Sequence, residues 1–150
     1  MRVLGVSCSS RETYLAVDDD GTILDGLTER LQPSSGLEAG EGLTEFIDSV
    51  RRVLREVTPD RVAVLLPETW SATYRQHLDR ATLDTLVRVA AALEDVPLEV
   101  LARATVRARL NLPRRGPLDS HVGRVGSSVG RYWSAGRGLA ALAARAGGVS

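Results

Sequence analysis

Four small polar residues at the end of the first apolar segment, Ser7-Cys8-Ser9-Ser10, have the side chains best suited to nucleophilic chemistry. A serine or cysteine nucleophile needs a general base close by to take its proton. The chain has only two histidines, His77 and His121, and each fits a helix surface or a loop, with no partner to orient it. A divergent hydrolase that uses Ser7 or Cys8 is therefore kept only as a third alternative, and we assign no catalytic residue.

The same residues set limits on metals and disulfides. Cys8 is the single cysteine, which excludes an intramolecular disulfide. One cysteine with two histidines does not make a zinc cluster. We therefore expect no structural zinc, no other metal site and no cofactor.

Charge is distributed unevenly along the chain although the net charge is zero. Residues 1–50 hold 3 arginines against 10 acids, residues 51–100 hold 7 against 8, and residues 101–150 hold 9 against 1. This pattern fits a basic surface for an anionic partner, or an acidic half that meets a basic half within one fold or across a dimer. All 19 basic residues are arginine, which binds phosphate in a bidentate way.

Arginines and aromatic residues are the candidate contacts to nucleic acid, because arginine neutralises phosphate and aromatic rings stack on bases. The predicted contacts are Arg103, Arg107, Arg114, Arg115, Arg124, Arg131, Trp70 and Tyr74. Arg109, Tyr132 and Trp133 belong to the same basic and aromatic segments. The structural alternative is that Trp70 and Trp133 cover core edges and that the arginines form a solvated face.

The elements that must position these residues begin with strands. Segments 2–7 and 13–17 and the segment 23–31, which follows an Asp-Gly turn, predict a three-stranded meander. Ser35 and Glu38 have capping-box spacing, and the apolar periodicity that follows predicts a long amphipathic helix to about Val57.

The rest of the chain alternates strands and helices. The apolar run 62–66, which Pro67 ends, and the segment 98–101 predict two further strands. Helices are predicted over 79–93, from about Ala104 to before Pro113, and over 139–146. The basic stretch 114–117 is expected to be a loop. Without a domain linker, residues 1–150 are expected to form one domain.

The order of these elements, βββαβαβα, is that of the ribonuclease H-like fold. Within it, the segments 5–21, 59–65, 79–93 and 98–106 resemble the corresponding blocks of RuvC, the Holliday junction resolvase family. The expected fold is therefore α/β, with a mixed five-stranded sheet, a three-stranded meander plus two further strands, flanked by helices. The opening block also resembles TsaB-like members of the actin-like superfamily, which work as protein scaffolds.

The resemblance to RuvC implies four carboxylates that hold two Mg²⁺ ions for phosphodiester hydrolysis. The expected acid positions hold Ser7, Leu65 and the stretch 134–137, in which Arg137 would repel a cation. Glu68 and Asp119 are the acids that could substitute, although Glu68 also fits a solvated turn and Asp119 a helix N-cap.

The sequence therefore predicts a catalytically degenerate RuvC-like protein that binds branched or single-stranded nucleic acid without cleaving it. The alternative is a protein-interaction or scaffold module of the same fold, and a divergent metal-dependent nuclease comes third. The resemblance and the apolar 79–93 helix predict a homodimer. No segment reads as a membrane span or a signal peptide, so a cytoplasmic location is expected.

Overall fold

The strands of the computed structural model, which describes residues 1–34, 36–67, 73–125 and 130–149, form one mixed sheet. They are β1 (Arg2–Cys8), β2 (Thr13–Asp19), β3 (Thr22–Ile23), β4 (Arg30–Leu31), β5 (Arg61–Leu65) and β6 (Leu98–Leu101). The order across the sheet is β3-β2-β1-β5-β6, and β4 also pairs with β2. β1 runs antiparallel to β2 and parallel to β5, which is parallel to β6. The predicted α/β class with a mixed sheet is confirmed.

The third strand of the meander differs from the prediction. Instead of one strand over 23–31, β3 and β4 are two-residue segments that each pair antiparallel with β2. Asp25 and Gly26 separate them: Gly26 has a φ of +77°, and its N–H donates to Asp25 Oδ1. Because a left-handed residue cannot continue a strand, the chain leaves the sheet edge here and returns at Arg30.

Helices cover both faces of the sheet. They are α1 (Gly40–Val57), α2 (Tyr74–Leu93), α3 (Arg103–Arg109) and α4 (Gly138–Gly147), joined by a short 3₁₀ helix (Leu118–Arg124) and an irregular turn (Trp133–Arg137) before α4. α1 begins later than the capping-box spacing predicts, because Ala39 and not Ser35 is its N-cap. Ser35 itself lies outside the described residues.

The start of α2 is also corrected by the structure. The helix begins at Tyr74, five residues before the predicted start, and Thr73 caps it. Thr73 Oγ1 accepts from the Gln76 N–H at 3.2 Å, and Gln76 Oε1 accepts from the Thr73 N–H at 2.9 Å. This reciprocal capping box satisfies two N–H groups that a helix start leaves open.

One face of the sheet is filled by large apolar side chains from α1 and α2. Its buried core includes Leu4, Val6, Leu15, Phe46, Val50, Leu54, Val64, Leu83 and Val87. Even-numbered residues of β1 point to this face because side chains alternate along a strand. The apolar periodicity of α1 predicted this packing correctly.

The opposite face is covered by α4 at very short range. Its core is rich in alanine, including Ala63 on β5 and Ala143, Ala144 and Ala146 on α4. A Cβ added to Gly5 would lie 1.8 Å from the carbonyl oxygen of Ala140. Glycine at position 5 is therefore what lets the backbones of β1 and α4 touch.

Candidate functional site

A cleft of about 240 Å³ lies at the carboxyl ends of β1 and β5. Ligands of open α/β sheets bind outside the carboxyl ends of the strands, which makes this the expected place for a site. The cleft is lined by Ser7, Cys8, Ser9, Tyr14, Pro67, Arg80, Arg103, Ala135, Gly136 and Leu139. Residues from both layers of helices therefore meet at one end of the sheet.

Ser7 and Leu65 are direct neighbours in the β1–β5 parallel pair. The alternation of β1 puts Ser7 on the α4 face, as it does Gly5. Ser7 is 7% exposed and opens into the cleft. The two positions at which the RuvC resemblance expects acids thus lie side by side, and they carry a hydroxyl and an apolar side chain.

Among the described residues, the charged side chains that line the cleft are Arg80 and Arg103. Arg80 comes from α2, and Arg103 is the first residue of α3. Arg103 was a predicted contact, whereas Arg80 was missed. The RuvC resemblance implies a pair of Mg²⁺ ions here, but hard cations need several convergent oxygen ligands, mostly carboxylates. A described lining of two guanidinium groups and no carboxylate does not fit that pair.

Arg137 does not face the cleft, which corrects the expectation that it repels a cation there. Its side chain is buried, and its Nε donates to the Leu15 carbonyl at 3.1 Å. One terminal nitrogen also donates to the Leu24 carbonyl, and another lies 3.8 Å from Glu29. Arg137 therefore ties the turn before α4 to the meander strands.

That turn is held by its own backbone as well. The Tyr132 carbonyl accepts from the N–H groups of Ala135, Gly136 and Arg137 at 3.1–3.3 Å. A Cβ on Gly136 would lie 2.4 Å from the Tyr14 ring, so glycine lets the turn press against β2. The α4 side of the cleft is thus formed by this turn, with Ala135 and Gly136, and by Leu139.

A second basic groove lies along α3. It encloses about 530 Å³ and is lined by Ala104, Arg107, Ala108, Asn111, Leu112 and Arg114. The Arg107 guanidinium donates to the carbonyls of Pro113 and Gly116 at 2.5 and 2.6 Å. Arg107 therefore also holds the 113–117 loop, on which Arg114 and Arg115 are exposed.

The remaining predicted arginines are distributed over other surfaces. Arg124 is exposed at the end of the 3₁₀ helix and lies outside both the cleft and the α3 groove. Arg131 is exposed, and its guanidinium lies 4.9 Å from the centre of the Tyr132 ring. Arg30 lies over the same ring at 4.3 Å, so arginine already covers this aromatic surface.

Three arginines of the basic third pair with acids from earlier in the chain. Arg109 bonds Glu99 and the Ala146 carbonyl, Arg145 bonds Asp18, and Arg137 faces Glu29. The Arg109 hydrogen bond lowers the pKa of Glu99. Part of the charge asymmetry therefore stabilises the fold, as the alternative of an acidic half meeting a basic half predicts.

Cys8 and Asp84 form a buried polar contact behind the cleft. Burial, and then the charge of Asp84, raises the pKa of the Cys8 thiol well above its ordinary value. Burial likewise raises the pKa of Asp84, which is 4% exposed. Because the thiolate is the reactive form, these surroundings disfavour Cys8 as a nucleophile.

Ser9 Oγ is engaged in its own turn, where it accepts from the Glu12 N–H at 3.0 Å.

Two of the singled-out residues, Glu68 and Trp70, lie outside the described residues, and their predicted roles stay predictions. Tyr74 is 82% exposed at the start of α2. Asp119 is not an N-cap: the 3₁₀ helix begins one residue earlier, after Pro117, and no side chain caps it. Within the described ranges no three histidine, cysteine or acidic side chains cluster as metal ligands.

Comparisons with solved structures identify the fold. Thermus thermophilus RuvC in complex with a Holliday junction substrate matches with a TM-score of 0.74 and 20% identity, over 97% of this chain and 91% of that one. Another T. thermophilus RuvC structure gives 0.73 and 19% identity over 97% and 92%. The yeast mitochondrial Holliday junction resolvase Ydc2 gives 0.66 and 12% over 96% and 76%.

These matches show that the protein has a RuvC-like, ribonuclease H-like fold, as the order of its elements predicts. No family model matches the chain, and no curated protein does. In the described ranges, no helix has the length and apolar character of a membrane span. The cytoplasmic location stays a prediction.

Proposed function

We propose that this protein binds the phosphate backbone of branched or single-stranded nucleic acid without cleaving it. The observation that carries the proposal is the cleft at the ends of β1 and β5, whose described charged lining consists of Arg80 and Arg103 and includes no carboxylate. Guanidinium groups bind a phosphodiester directly and in a bidentate way, so no bridging metal is needed.

The α3 helix extends this basic surface away from the cleft. Arg103 and Arg107 are four residues apart on α3, and such residues lie on the same helix face. Arg107 and Arg114 line the adjoining groove. We therefore propose that a backbone bound at Arg80 and Arg103 follows α3 towards Arg114 on the 113–117 loop. The RuvC fold is compatible with such a ligand, since T. thermophilus RuvC was solved with a Holliday junction substrate.

The proposal is tested by measuring affinity for labelled four-way junction, single-stranded and duplex DNA and RNA across salt concentrations. Replacing both Arg80 and Arg103 with Gln should weaken binding to every sequence and reduce the slope of log affinity against log salt by about 1.5. The matched control is Arg52→Gln, which removes an exposed arginine from α1. A parent protein that binds no nucleic acid at low salt would overturn the proposal and favour the protein-interaction alternative.

The loop arginines test how far the path extends. Arg114 and Arg115 are exposed, so replacing both with Gln should leave folding intact. If both contact phosphate, the salt slope falls again by about 1.5. An unchanged slope would confine the binding surface to the cleft.

Cleavage is tested with the same junction in Mg²⁺, Mn²⁺ or EDTA. We expect the junction to stay intact under all three conditions. Metal-dependent, symmetric cleavage that is lost in Glu68→Gln or Asp119→Asn would contradict the absence of cleavage.

We also propose that the protein forms a homodimer through α2. Tyr74, Leu78, Val89 and Leu93 are exposed along this helix, Leu78 by 50% and Leu93 by 52%. They fall on one face with Ala81 and Thr85, and such a stripe can pair with its own copy about a twofold axis.

Sedimentation of the parent protein should give twice the monomer mass. The double variant Leu78→Glu with Leu93→Glu should give the monomer mass. A parent protein that is monomeric at tens of micromolar would contradict the dimer.

A further inference from the structure

A second pocket adjoins the cleft on its α4 side. It encloses about 320 Å³, between the 3₁₀ helix and the start of α4. Ala135, Gly136 and Leu139 line both spaces, so the pocket and the cleft share one wall. A ligand with an anionic part in the cleft could place a neighbouring group in this pocket.

The lining of the pocket is mostly apolar and aromatic, with the Asp119 carboxylate and the Ser134 hydroxyl as its polar side chains. Trp133 and Leu139 are partly buried, and Val122 is buried in the core beneath. Asp119 stands exposed at the rim, and it is the one acid in residues 101–150. No described arginine lines this pocket, in contrast to the cleft. The lining thus suits a flat apolar ring that also carries hydrogen-bond donors.

We infer that this pocket receives an unpaired nucleobase whose phosphate lies between Arg80 and Arg103. The inference rests on the proposed binding of nucleic acid and adds a base subsite to it. Bases are commonly recognised when they leave the stack and rest against aromatic or apolar side chains. The volume is at the lower end of the range for small-molecule pockets, which excludes a base pair with its backbone.

Asp119 gives the subsite a preference among bases. A carboxylate only accepts hydrogen bonds, so it favours bases that present donors. Guanine offers its N1–H and its amino group side by side, which matches the two oxygens of a carboxylate. Thymine has no amino group. We therefore expect guanine to bind most tightly in this pocket.

The test uses three 12-nucleotide strands that are abasic at every position but the central one, which carries guanine, thymine or an abasic site. The parent protein should bind the guanine strand about tenfold more tightly than the abasic strand, since stacking of one base contributes about that much. In a Trp70→Phe background, the guanine strand should also quench the fluorescence of Trp133. Equal affinity for the three strands would overturn the base subsite and leave the proposed phosphate binding intact. No binding of any strand would instead overturn the proposed function.

Substitutions of Asp119 and Trp133 distinguish hydrogen bonding to the base from stacking on it. Asp119→Asn should lower the preference for guanine over thymine and leave the affinity for the abasic strand unchanged. Asp95→Asn, at another exposed acid, is its control. Trp133→Ala should remove the tenfold gain and Trp133→Phe should keep most of it. If Trp133→Ala fails to fold, Asp119→Asn decides alone, because its side chain is on the surface: an unchanged guanine preference overturns the subsite.

Discussion

The two faces of the sheet are packed with side chains of very different size. On one face, α1 and α2 press leucine, valine and phenylalanine against the even-numbered residues of β1. On the other, α4 brings alanine and backbone into contact with Gly5. The cleft lies where these two layers meet, and it takes a backbone wall from one and a long arginine from the other.

The two sides of the cleft therefore contribute different things: the α4 side supplies a wall, and the α2 side supplies a positive charge. The α4 side is held by backbone contacts, by Arg137 and by the turn at Tyr132. The α2 side contributes the long, partly buried side chain of Arg80. The binding chemistry can therefore change on the α2 side while the α4 side stays as it is.

The largest effect is expected from added volume on the α4 face. Gly5→Ala places a Cβ 1.8 Å from the Ala140 carbonyl oxygen and 2.7 Å from the Ala144 nitrogen. Because both contacts are backbone atoms, α4 must move away, and the expected loss exceeds about 4 kcal/mol of unfolding free energy. Urea denaturation followed by circular dichroism measures it. Gly40→Ala is the control, since no atom lies within 4 Å of its added Cβ. If Gly5→Ala is as stable as the parent protein, the close packing of β1 against α4 is contradicted.

On the face covered by α1 and α2, the damaging change should be the removal of side-chain volume. Leu83 on α2 is fully buried in the α1 and α2 core. Leu83→Ala leaves a cavity and should cost about 3 kcal/mol. The control is Leu66→Ala, at an exposed leucine, which should cost less than about 1 kcal/mol. If the two variants have the same midpoint in urea, the α2 face is not held by side-chain packing.

The buried acid of the α2 face should give a smaller effect that depends on pH. Burial raises the pKa of Asp84 in the folded protein, and its Oδ1 has no hydrogen-bond partner among the described residues. The folded state then binds this proton more tightly than the unfolded state, so Asp84 costs stability above its raised pKa. This cost disappears as the pH falls to about 4, the ordinary value for Asp.

Asp84→Asn should therefore stabilise the protein at pH 8 by about 1 kcal/mol and have no such effect near pH 4. Denaturation midpoints across this pH range give the measurement. Equal stabilisation at both pH values would show that the charge of Asp84 is not the cause.

The smallest effect concerns the edge of the α4 layer. Arg109 joins Glu99 on β6 to the Ala146 carbonyl on α4. Its hydrogen bond lowers the pKa of Glu99, so the pair stabilises the fold at neutral pH and loses this contribution as the pH falls through the lowered pKa. Because both side chains are partly exposed, Arg109→Gln should cost only about 0.5–1 kcal/mol at pH 7. A cost that does not fall when Glu99 becomes protonated at low pH would exclude the ion pair.

Most elements of the fold follow from apolar patterning in the sequence. β1, β5 and α1 were predicted because continuous or periodic apolar runs are buried whichever elements they pack against. The start of α2 was missed although its signal, Thr73 three residues before Gln76, is present in the sequence. The broken third strand was missed because the Asp25-Gly26 turn was taken as part of a strand.

The site was harder to predict because it depends on directions of side chains. The resemblance predicted that Ser7 and Leu65 hold two of the expected acid positions, and the structure adds that they are neighbours. The direction of Arg137 depends on the irregular turn before α4. Arg80 was missed because its approach to the cleft is set by how α2 rotates on the sheet. The partners of Arg109 and Arg145 lie far away in sequence, so their ion pairs could not be read from the chain.

The contact between β1 and α4 has a consequence for synthesis of the protein. β1 lies in the middle of the sheet and is translated first of the described elements, whereas α4 begins about 130 residues later. At ordinary rates of translation, this delay is on the order of ten seconds. During that time the surface around Val3, Gly5 and Ala63 has no helix to cover it. We therefore expect nascent chains that stop before α4 to depend on chaperones, and the domain to fold only after α4 has left the ribosome.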